Sequence, residues 1–405
     1  MQRFNVIIIG GGAAGFFAAI NLAQLKPDLK IAILERGKDV LTKVKVSGGG
    51  RCNVTHAEFD PRELITNYPR GSKELLGPFH TFMTGDTIAW FEERGISLKI
   101  EEDGRMFPES NTSQTIIDCF IHEADKYKVS VLRNHSVKGI YQEDNIWKVH
   151  TNHESFTAET LMVTTGSNLK IWNILKELGH SIIPPVPSLF TFNVNDDRIK
   201  DIPGVSLKQV VVKVVDSNLE SSGPLLITHV GLSGPAILKL SAFGAKLLAD
   251  RQYNFEIEVN FTAYTQLDCF SILKDVKERN ARKIVMNTVQ FNVPKRLWKK
   301  LVHASGVGLE MRWADVKKEQ IDTLAGQLAC ARFTVVGKST FKEEFVTAGG
   351  VDLKEINFKT FESKLFKNLY FAGEVLNIDA ITGGFNFQNA WTGAYIAAKA
   401  ISKNN

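Results

Sequence analysis

Near the N-terminus an apolar run breaks at a cluster of glycines and then resumes with small and apolar residues. The run Val6–Ile9 is typical of a buried strand, and Gly10, Gly12 and Gly15 follow it with G-x-G-x-x-G spacing. In this arrangement the first glycine allows a sharp turn, the second lets the backbone approach a pyrophosphate, and the third lets helix and strand pack closely. The stretch therefore predicts a strand, a turn and a helix whose N-terminus binds the phosphates of a dinucleotide.

A second short apolar run, Ile31–Leu34, is followed directly by Glu35. An acidic residue about 20 positions after the glycines can accept hydrogen bonds from both ribose hydroxyls of the nucleotide. Because strand, glycines and acid occur in the expected order, they explain the apolar N-terminus better than a signal sequence does.

Length and charge limit the remaining possibilities. The chain has 405 residues, which is more than one hydrophobic core usually holds, so two or three domains are expected. Its formal net charge of +5 is small for this size and argues against nucleic acid as the main partner. An anionic small molecule fits that charge equally well.

The four cysteines lie far apart in sequence and include no C-x-x-C pair. This spacing argues against a disulfide framework or a zinc site, so no metal is assigned and a reducing compartment, the cytoplasm, is expected. The apolar N-terminus is too short to span a bilayer, and no membrane partner is expected.

A second glycine-rich stretch reads Ser47-Gly-Gly-Gly-Arg-Cys-Asn-Val-Thr55. Consecutive glycines give a loop whose backbone can lie against a flat ligand, and Arg51 can reach a phosphate or a ring carbonyl. Dithiol flavoenzymes carry a second cysteine five positions after the first, but the residue at that distance from Cys52 is Ala57. We therefore interpret Cys52 as packed near the ligand and expect no disulfide exchange.

The middle of the first half has the pattern of short strands. They are predicted at residues 130–132, 137–141, 146–151 and 155–158, as an antiparallel meander inserted into a parallel sheet. A further buried strand is predicted over Thr160–Gly166 and ends in a Thr-Thr-Gly turn. Ligands of doubly wound sheets gather at the carboxyl ends of such strands.

A second unit is expected to follow the prolines at 184, 185 and 187, which favour extended backbone. Alternating stretches at 207–215, 225–230 and 254–261 predict β-structure, and residues from about 268 to 328 are mostly helical in pattern. The helical part contains the basic run Pro294-Lys-Arg-Leu-Trp-Lys-Lys300. Such a run is usually a solvated helix face, and otherwise a surface for an acidic partner.

Two residues are candidates for catalysis. His229 precedes a helix start marked by Ser233 and Pro235, and its side chain titrates near neutrality beside a helix N-terminus suited to anions. Arg105 lies in the turn Glu101–Pro108. The sequence alone does not assign either residue as a general acid, because the distance to the reacting atom has to be known before the pKa is considered.

The C-terminal part returns to the nucleotide pattern. The strand Asn368–Phe371 is followed by Ala-Gly-Glu, and Glu374 can offer its carboxylate to a ribityl hydroxyl. Asp379 and the segment Thr382–Ala390 then open a helix whose N-terminus can stabilise negative charge at the pyrimidine end of a reduced flavin. The two half-sites must meet in space, and no second G-x-G-x-x-G follows for a firmly held nicotinamide nucleotide. FAD is therefore the expected resident cofactor.

Together these motifs resemble the BaiN/YhiN-like (aminoacetone oxidase-like) family of flavoproteins. The resemblance is carried by Gly10–Gly15, Ser47–Val54, Gly104–Pro108, Thr228–Pro235, Thr347–Gly350 and Phe371–Gln388. It implies an α/β fold, with a Rossmann-like two-dinucleotide-binding FAD domain, built on a doubly wound parallel sheet with a β-meander, and an inserted β-barrel plus helical domain. It also implies an NAD(P)H-linked reductase, with unsaturated 3-oxo bile acids as one substrate within the family.

The expected domain boundaries follow from this architecture. The FAD-binding domain would occupy residues 1–190 and 343–405, and the insert residues 191–342. Within the insert, the β-barrel would take about 191–255 and 330–342, and the helical unit about 256–329.

The residues assigned to FAD come from both ends of the chain. They are Gly10, Gly12, Ala13, Ala14, Gly15, Glu35, Arg36, Lys43, Ser47, Gly48, Gly49, Gly50, Arg51, Cys52, Asn53, Val137, Thr165, Gly166, Gly373, Glu374, Asp379, Gly384, Phe385, Asn386 and Gln388.

The sequence thus predicts an FAD-dependent oxidoreductase. Its flavin N5 would pass a hydride, with NADH or NADPH as a transient donor, to an unsaturated or carbonyl-containing small molecule held between the flavin domain and the insert. Two alternatives stay open. One is a flavin-dependent oxidase of a small amine, and the other is an FAD-bound RNA-interacting protein that uses the basic run.

Overall fold

The computed structural model describes residues 1–339 and 346–404. The chain forms two compact units. The first contains Met1–Val186 and the chain from Val346 onward, and the second begins at Pro187 and is described up to Ser339. The first division thus falls after Val186 rather than after residue 190, and the expected boundary between 342 and 343 lies outside the described residues.

The strands are distributed over both units. They are β1 (Gln2–Ile9), β2 (Ile31–Leu34), β3 (Thr55–His56), β4 (Leu98–Ile100), β5 (Arg105–Pro108), β6 (Ser130–Leu132), β7 (Val137–Glu143), β8 (Ile146–Thr151), β9 (Ser155–Val163), β10 (Ile182–Ser188), β11 (Thr191–Val194), β12 (Ser206–Val214), β13 (Glu220–Ile227), β14 (Gly231–Ser233), β15 (Asn254–Asn260), β16 (Ala331–Ser339), β17 (Val346–Val351), β18 (Ile356–Asn357), β19 (Glu362–Ser363) and β20 (Leu369–Phe371).

The α-helices connect and cover these strands. They are α1 (Ala13–Leu25), α2 (Thr42–Gly50), α3 (Pro61–Leu64), α4 (Ser72–Phe79), α5 (Thr84–Glu92), α6 (Ser113–Lys126), α7 (Leu169–Leu178), α8 (Pro235–Phe243), α9 (Ala245–Asp250), α10 (Gln266–Arg279), α11 (Lys295–Ala304), α12 (Lys318–Ala329) and α13 (Phe385–Asn404). Short 3₁₀ turns occur at Ile65–Asn67, Val285–Asn287, Trp313–Asp315 and Leu353–Glu355.

The first unit is built on a sheet in which β1 is central. β1 pairs in parallel with β2 and β9, β2 pairs in parallel with β6, and β9 pairs in parallel with β20. The antiparallel strands β18 and β19 extend the edge beyond β20, and β7 and β8 form a meander onto β9. The apolar residues of β1 from Val6 to Ile9 are buried, which fits a strand covered on both faces. The predicted doubly wound sheet with a meander is confirmed.

The strand β9 differs from the prediction of two separate strands at 155–158 and 160–166. It runs unbroken from Ser155 to Val163, pairing with β8 on one side and β1 on the other. Glu159 interrupts the apolar pattern in the sequence, but its side chain points out of the core and pairs with Arg3 at 2.8 Å. The strand ends at Val163, so Thr164–Gly166 form the turn alone.

The second unit contains a closed antiparallel barrel of order β11-β14-β13-β12-β15-β16. β15 continues to Asn260, because residues 257–260 pair with β12 and residues 254–259 pair with β16. The expected end of the barrel segment at residue 255 is therefore too early, and the helical part begins at α10. Pro184 and Pro185, which precede the unit, do not simply form a crossing, since they lie in β10, which pairs with β17.

No helix within residues 1–339 and 346–404 is long and apolar enough to cross a membrane.

Candidate cofactor site

The start of α1 forms an open phosphate cradle. Gly12 precedes the helix with extended backbone at φ −97°, and no side chain among the described residues caps this end. A Cβ added at Gly12 would meet nothing within 4 Å, whereas one at Gly15 would lie 2.0 Å from the carbonyl oxygen of Gly10. Gly15 thus lets α1 pack against the end of β1, and the first N–H groups of the helix face open space suited to an anion.

Glu35 is held in a fixed orientation at the end of β2. Its two carboxylate oxygens accept hydrogen bonds from the backbone N–H groups of Gly11 and Gly37, at 2.9 and 2.8 Å. Each carboxylate oxygen keeps a further lone pair for a ribose hydroxyl. Arg36 is exposed beside it.

The chain that leads into β7 passes along this acidic turn. The N–H of Asn134 donates to the carbonyl of Gly37 at 3.0 Å, and the N–H of His135 donates to that of Glu35 at 2.8 Å. Val137 follows as the buried first residue of β7. The structure therefore brings the segment before Val137 to the predicted ribose end.

The glycine loop interrupts helical geometry near the end of α2. Ser47 is extended, and Gly48, Gly49 and Gly50 have φ of +57°, +67° and +83°, which favour glycine. A Cβ at Gly49 or Gly50 would meet nothing within 4 Å. The loop therefore presents bare backbone, as the predicted contact with a flat ligand requires. Asn53 beyond it is buried and accepts a hydrogen bond from the N–H of Met106 at 3.2 Å.

The two arginines near this loop share one acidic partner. Arg51 pairs with Glu101 at 2.5 Å, and its guanidinium lies 3.9 Å from the ring centroid of Phe107. Arg105 pairs with Glu101 at 3.3 Å and with Asp103 at 2.8 Å. The structure thus places Arg105 beside Arg51, with both held by carboxylates of the turn.

Cys52 is fully buried, and this burial raises the pKa of its thiol to about 12, opposed by a hydrogen bond with Ser47. The thiolate is the nucleophilic form of cysteine, so this residue is inert near neutral pH. The geometry agrees with the interpretation of Cys52 as a packed residue.

The C-terminal half-site meets the N-terminal one. The Lys43 ammonium binds the Glu374 carboxylate at 2.6 Å. A Cβ added at Gly373 would lie 3.5 Å from Cβ of Ala14, and one at Gly166 would lie 3.6 Å from Oε2 of Glu374. The two ends of the chain therefore form one site.

The turn after β9 contains a buried hydroxyl for which the described residues offer no hydrogen-bond partner. Thr164 Oγ1 donates to the carbonyls of Ile9 and Gly10, both at 3.0 Å. In contrast, the buried Thr165 Oγ1 has no hydrogen-bond partner within the described chain. Leaving such a group unsatisfied costs about 1–3 kcal/mol. A polar ligand beside Gly166 would satisfy it, so the residues present fit a dinucleotide such as FAD.

Three C-terminal residues assigned to FAD direct their side chains into the protein instead. Asp379 is fully buried and binds both Nε and Nη2 of Arg70. Gln388 is also fully buried and accepts from Thr55 Oγ1 at 2.6 Å. The Asn386 side chain binds the backbone of Ala380 through its Oδ1 at 3.0 Å and its Nδ2 at 3.3 Å.

Both polar atoms of Gln388 bind other side chains of the protein. Its Oε1 also accepts from Thr87 Oγ1 at 3.0 Å, and its Nε2 lies 3.1 Å from Thr392 Oγ1. The side chains of Asp379, Asn386 and Gln388 thus position the loop before α13 and the start of that helix. We interpret them as positioning residues, which leaves cofactor contact to the backbone around Gly384 and Phe385.

Sequence reasoning missed His56, on which three of the motifs converge. Its Nδ1 lies 3.0 Å from the carbonyl oxygen of Gly383, and its ring stacks on Phe385 at a centroid distance of 4.4 Å. A Cβ at Gly104 would lie 2.5 Å from its Nε2. In the sequence, the one indication of its importance was its position directly after the glycine loop. In the structure, His56 also pairs with Arg105 between β3 and β5.

His229 belongs to the second unit. It is exposed in the turn between β13 and β14 of the second unit, whereas the residues assigned to FAD all belong to the first unit. Its catalytic role stays a prediction.

Comparison with known proteins identifies relatives over the whole chain. The model of the HI0933-like protein Rossmann domain matches residues 4–400. A Haemophilus influenzae protein named ribosomal RNA dihydrouridine synthase is 30% identical, covering 99% of both chains. An Escherichia coli protein of the same name is 27% identical, covering 99% of this chain and 98% of its own. The 3-dehydro-bile acid delta(4,6)-reductase of Clostridium scindens is 25% identical, covering 98% of both.

Solved structures agree with the architecture. The 3-ketosteroid delta1-dehydrogenase of Sterolibacterium denitrificans superposes with a TM-score of 0.55 at 12% identity, covering 100% of both chains. At this identity the likeness concerns the fold. The chain thus belongs to the HI0933-like Rossmann family, in agreement with the BaiN/YhiN-like resemblance, and has the fold of FAD-dependent oxidoreductases.

Proposed function

We propose that this FAD-dependent oxidoreductase takes a hydride from NADH or NADPH and delivers it to a carbon–carbon double bond conjugated to a carbonyl group, in a uracil base of RNA. The proposal rests on the relatives that match the whole chain, because their names describe the same type of reaction, the reduction of a double bond conjugated to a carbonyl group. Dihydrouridine arises when the uracil double bond next to a carbonyl is saturated, and a delta(4,6)-reductase of 3-dehydro bile acids saturates bonds conjugated to a 3-oxo group. RNA is preferred as substrate because the 30% and 27% identical relatives both carry the first name.

The residues of the first unit fit the resident cofactor in four places. The open start of α1 would hold the pyrophosphate, and Glu35 would hold the adenosine ribose. The bare backbone at Gly49 and Gly50 would lie against a flat portion of the cofactor. Thr165 Oγ1, which has no hydrogen-bond partner among the described residues, would bind a polar atom of the cofactor. FAD supplies hydride acceptance and donation when bound. The chain supplies position and charge stabilisation.

The start of α13 is held so that its N–H groups can stabilise negative charge. Tyr68 Oη donates to the carbonyl of Phe385 at 2.6 Å, and Asn386 binds the backbone of Ala380. A fixed helix N-terminus carries partial positive charge without a mobile cation. We assign it to the electron-rich end of the reduced cofactor.

Hydride addition also requires a proton at the neighbouring carbon. A carbonyl oxygen only accepts a hydrogen bond, so Nδ1 of His56 is the donor in its bond with Gly383. His56 therefore joins Arg105 and His229 as a candidate for proton transfer or substrate contact.

The experiment is anaerobic reduction of the purified yellow protein by NADH or NADPH, followed by re-oxidation with separate acceptors. These are uridine-containing RNA, a 3-oxo-4-ene steroid, a quinone and, in air, a small amine with peroxide detection. We expect bleaching by a nicotinamide nucleotide and return of colour with RNA. Return with the steroid alone supports a small-molecule reductase, and peroxide formation from the amine supports an oxidase. Either result overturns the RNA assignment.

A further inference from the structure

We infer that the outward face of α11 is an RNA-binding surface, an inference that rests on the proposed function and specifies how its substrate is held. This α11 basic face consists of Lys295, Arg296, Lys299, Lys300 and His303. The partner it fits is the phosphate backbone of RNA.

The helix places its large apolar side chains on one side and its basic side chains on the other. Its inward positions Leu297, Trp298, Leu301 and Val302 are all buried. Trp298 Nε1 donates to the carbonyl of Val285 at 3.0 Å, which anchors the helix on the preceding 3₁₀ turn. The basic side chains therefore project from a helix that is fixed from behind.

The charges on this face work against the stability of the helix itself. Lys295 and Lys299 are four residues apart, as are Arg296 and Lys300, and like charges at that spacing repel each other. Lys295 and Arg296 also lie in the first turn, which contains no acidic residue, although the positive end of a helix favours acids. A helix shaped only by stability would carry acids here, so an external anion explains the pattern better than a solvated face.

These charges are not neutralised inside the described protein. Lys43 and Lys126 of the first unit bind carboxylates at 2.6 and 3.0 Å. In contrast, no ion pair joins α11 to a carboxylate in residues 1–339 and 346–404. Arg296 donates instead to the backbone carbonyl of Asp201 at 2.9 Å, which orders its guanidinium without cancelling its charge.

The surrounding sequence strengthens the positive field. Residues 274–318 contain 12 Lys and Arg but only 4 Asp and Glu, and the rest of the chain has 37 basic against 40 acidic residues. The small net charge of +5 therefore conceals a strongly basic segment, residues 274–318, within an otherwise slightly acidic chain. A clustered charge of this kind is the electrostatic signature of nucleic-acid binding.

The test compares the full-length, FAD-loaded protein with two triple variants. One replaces Lys295, Lys299 and Lys300 by Gln on the α11 basic face. The matched control replaces Lys208, Lys213 and Lys246 by Gln, which are exposed lysines of the same unit outside its helical part. Binding of labelled poly(U) and of protein-free ribosomal RNA is titrated between about 50 and 200 mM salt.

We expect the α11 variant to lose about fivefold in affinity per lost phosphate contact near 0.1 M salt, hence about 100-fold in total, and its salt slope to decrease by about 2. The control should change by less than about threefold. Thermal unfolding of the α11 variant should occur at the same or a higher temperature, because charge repulsion is removed.

Equal RNA binding by wild type and the α11 variant would overturn the inference. So would competition by poly-glutamate as strong as that by RNA, because it would identify an acidic protein as the partner. Flavin reduction by NADH or NADPH should be the same in all three proteins. If no conjugated double bond is reduced while α11-dependent RNA binding persists, the proposed function fails and the surface assignment stands.

Discussion

Gly12 offers a direct way to separate cofactor binding from folding. Its backbone is extended rather than left-handed, and a Cβ there would meet no atom of residues 1–339 and 346–404 within 4 Å. A Gly12→Ala variant should therefore fold, with a cost of about 1 kcal/mol or less for a weaker helix N-cap. The added methyl group would occupy the space in front of the N–H groups of α1, where the pyrophosphate is expected.

The effect on FAD affinity follows from the donors that the methyl group displaces. Two hydrogen bonds to a charged group at about 1.5–3 kcal/mol each amount to about 3–6 kcal/mol. That energy corresponds to a loss of roughly 10²-fold to 10⁴-fold in affinity.

The assay is a titration of the cofactor-stripped protein with FAD, followed by flavin fluorescence or calorimetry, with thermal unfolding as the measure of folding. Gly85→Ala is the matched control, because a Cβ at Gly85 in α5 also meets nothing within 4 Å. Gly85→Ala should leave FAD affinity unchanged. If Gly12→Ala binds FAD within about threefold of wild type, the α1 cradle is not the pyrophosphate site.

Three further predictions concern buried polar groups. Thr165→Val should leave the cofactor-free protein at least as stable, because it removes a buried hydroxyl that has no partner among the described residues, at a gain of up to about 1–3 kcal/mol. The same substitution should weaken FAD binding. Equal FAD-induced shifts of the unfolding temperature in wild type and variant would contradict this. Because the pKa of the Cys52 thiol is about 12, iodoacetamide at pH 8 should modify the partly exposed Cys330 first and Cys52 only after unfolding, and peptide mass spectrometry showing Cys52 modified first would refute this. Burial lowers the pKa of His180 despite its 2.7 Å contact with Glu355, so the folded state favours the neutral imidazole, and this contribution to stability is complete above the ordinary pKa of about 6.5 and is lost as the pH falls below it. The free energy of unfolding, measured with a chemical denaturant between pH 8 and 5, should therefore decline, and His180→Gln should reduce this decline. An identical decline in the variant would exclude His180 as its source.

The parts of the fold that rest on local patterns could be predicted from the sequence. The β1 turn, the acid at Glu35 and the glycine loop each require particular residues within a few positions, so their chemistry is visible without the rest of the fold. The meander, and the strands and helices of the second unit, follow similarly from period-two and period-3.6 patterns. The closure of those strands into a barrel was expected only from the family resemblance.

Features that depend on distant partners could not be predicted in the same way. Glu159 interrupts the apolar pattern of β9, so the sequence suggests two strands. Only the structure shows that its carboxylate pairs with Arg3 and that the strand continues through it. Asp379 looks available for a ligand, yet Arg70, which binds it, is 309 positions away in sequence. His56 has no motif of its own, and its importance comes from contacts with Gly383 and Phe385 across the chain.

The central claim is that bound FAD carries reducing equivalents to a conjugated double bond of RNA. The most direct measurement is mass spectrometry of nucleosides from RNA incubated without oxygen with the NAD(P)H-reduced protein. The account predicts that a uridine gains the mass of H₂ in proportion to the flavin that is re-oxidised. Unchanged nucleosides, accompanied by flavin that returns to its oxidised form only with oxygen or a quinone, would contradict it.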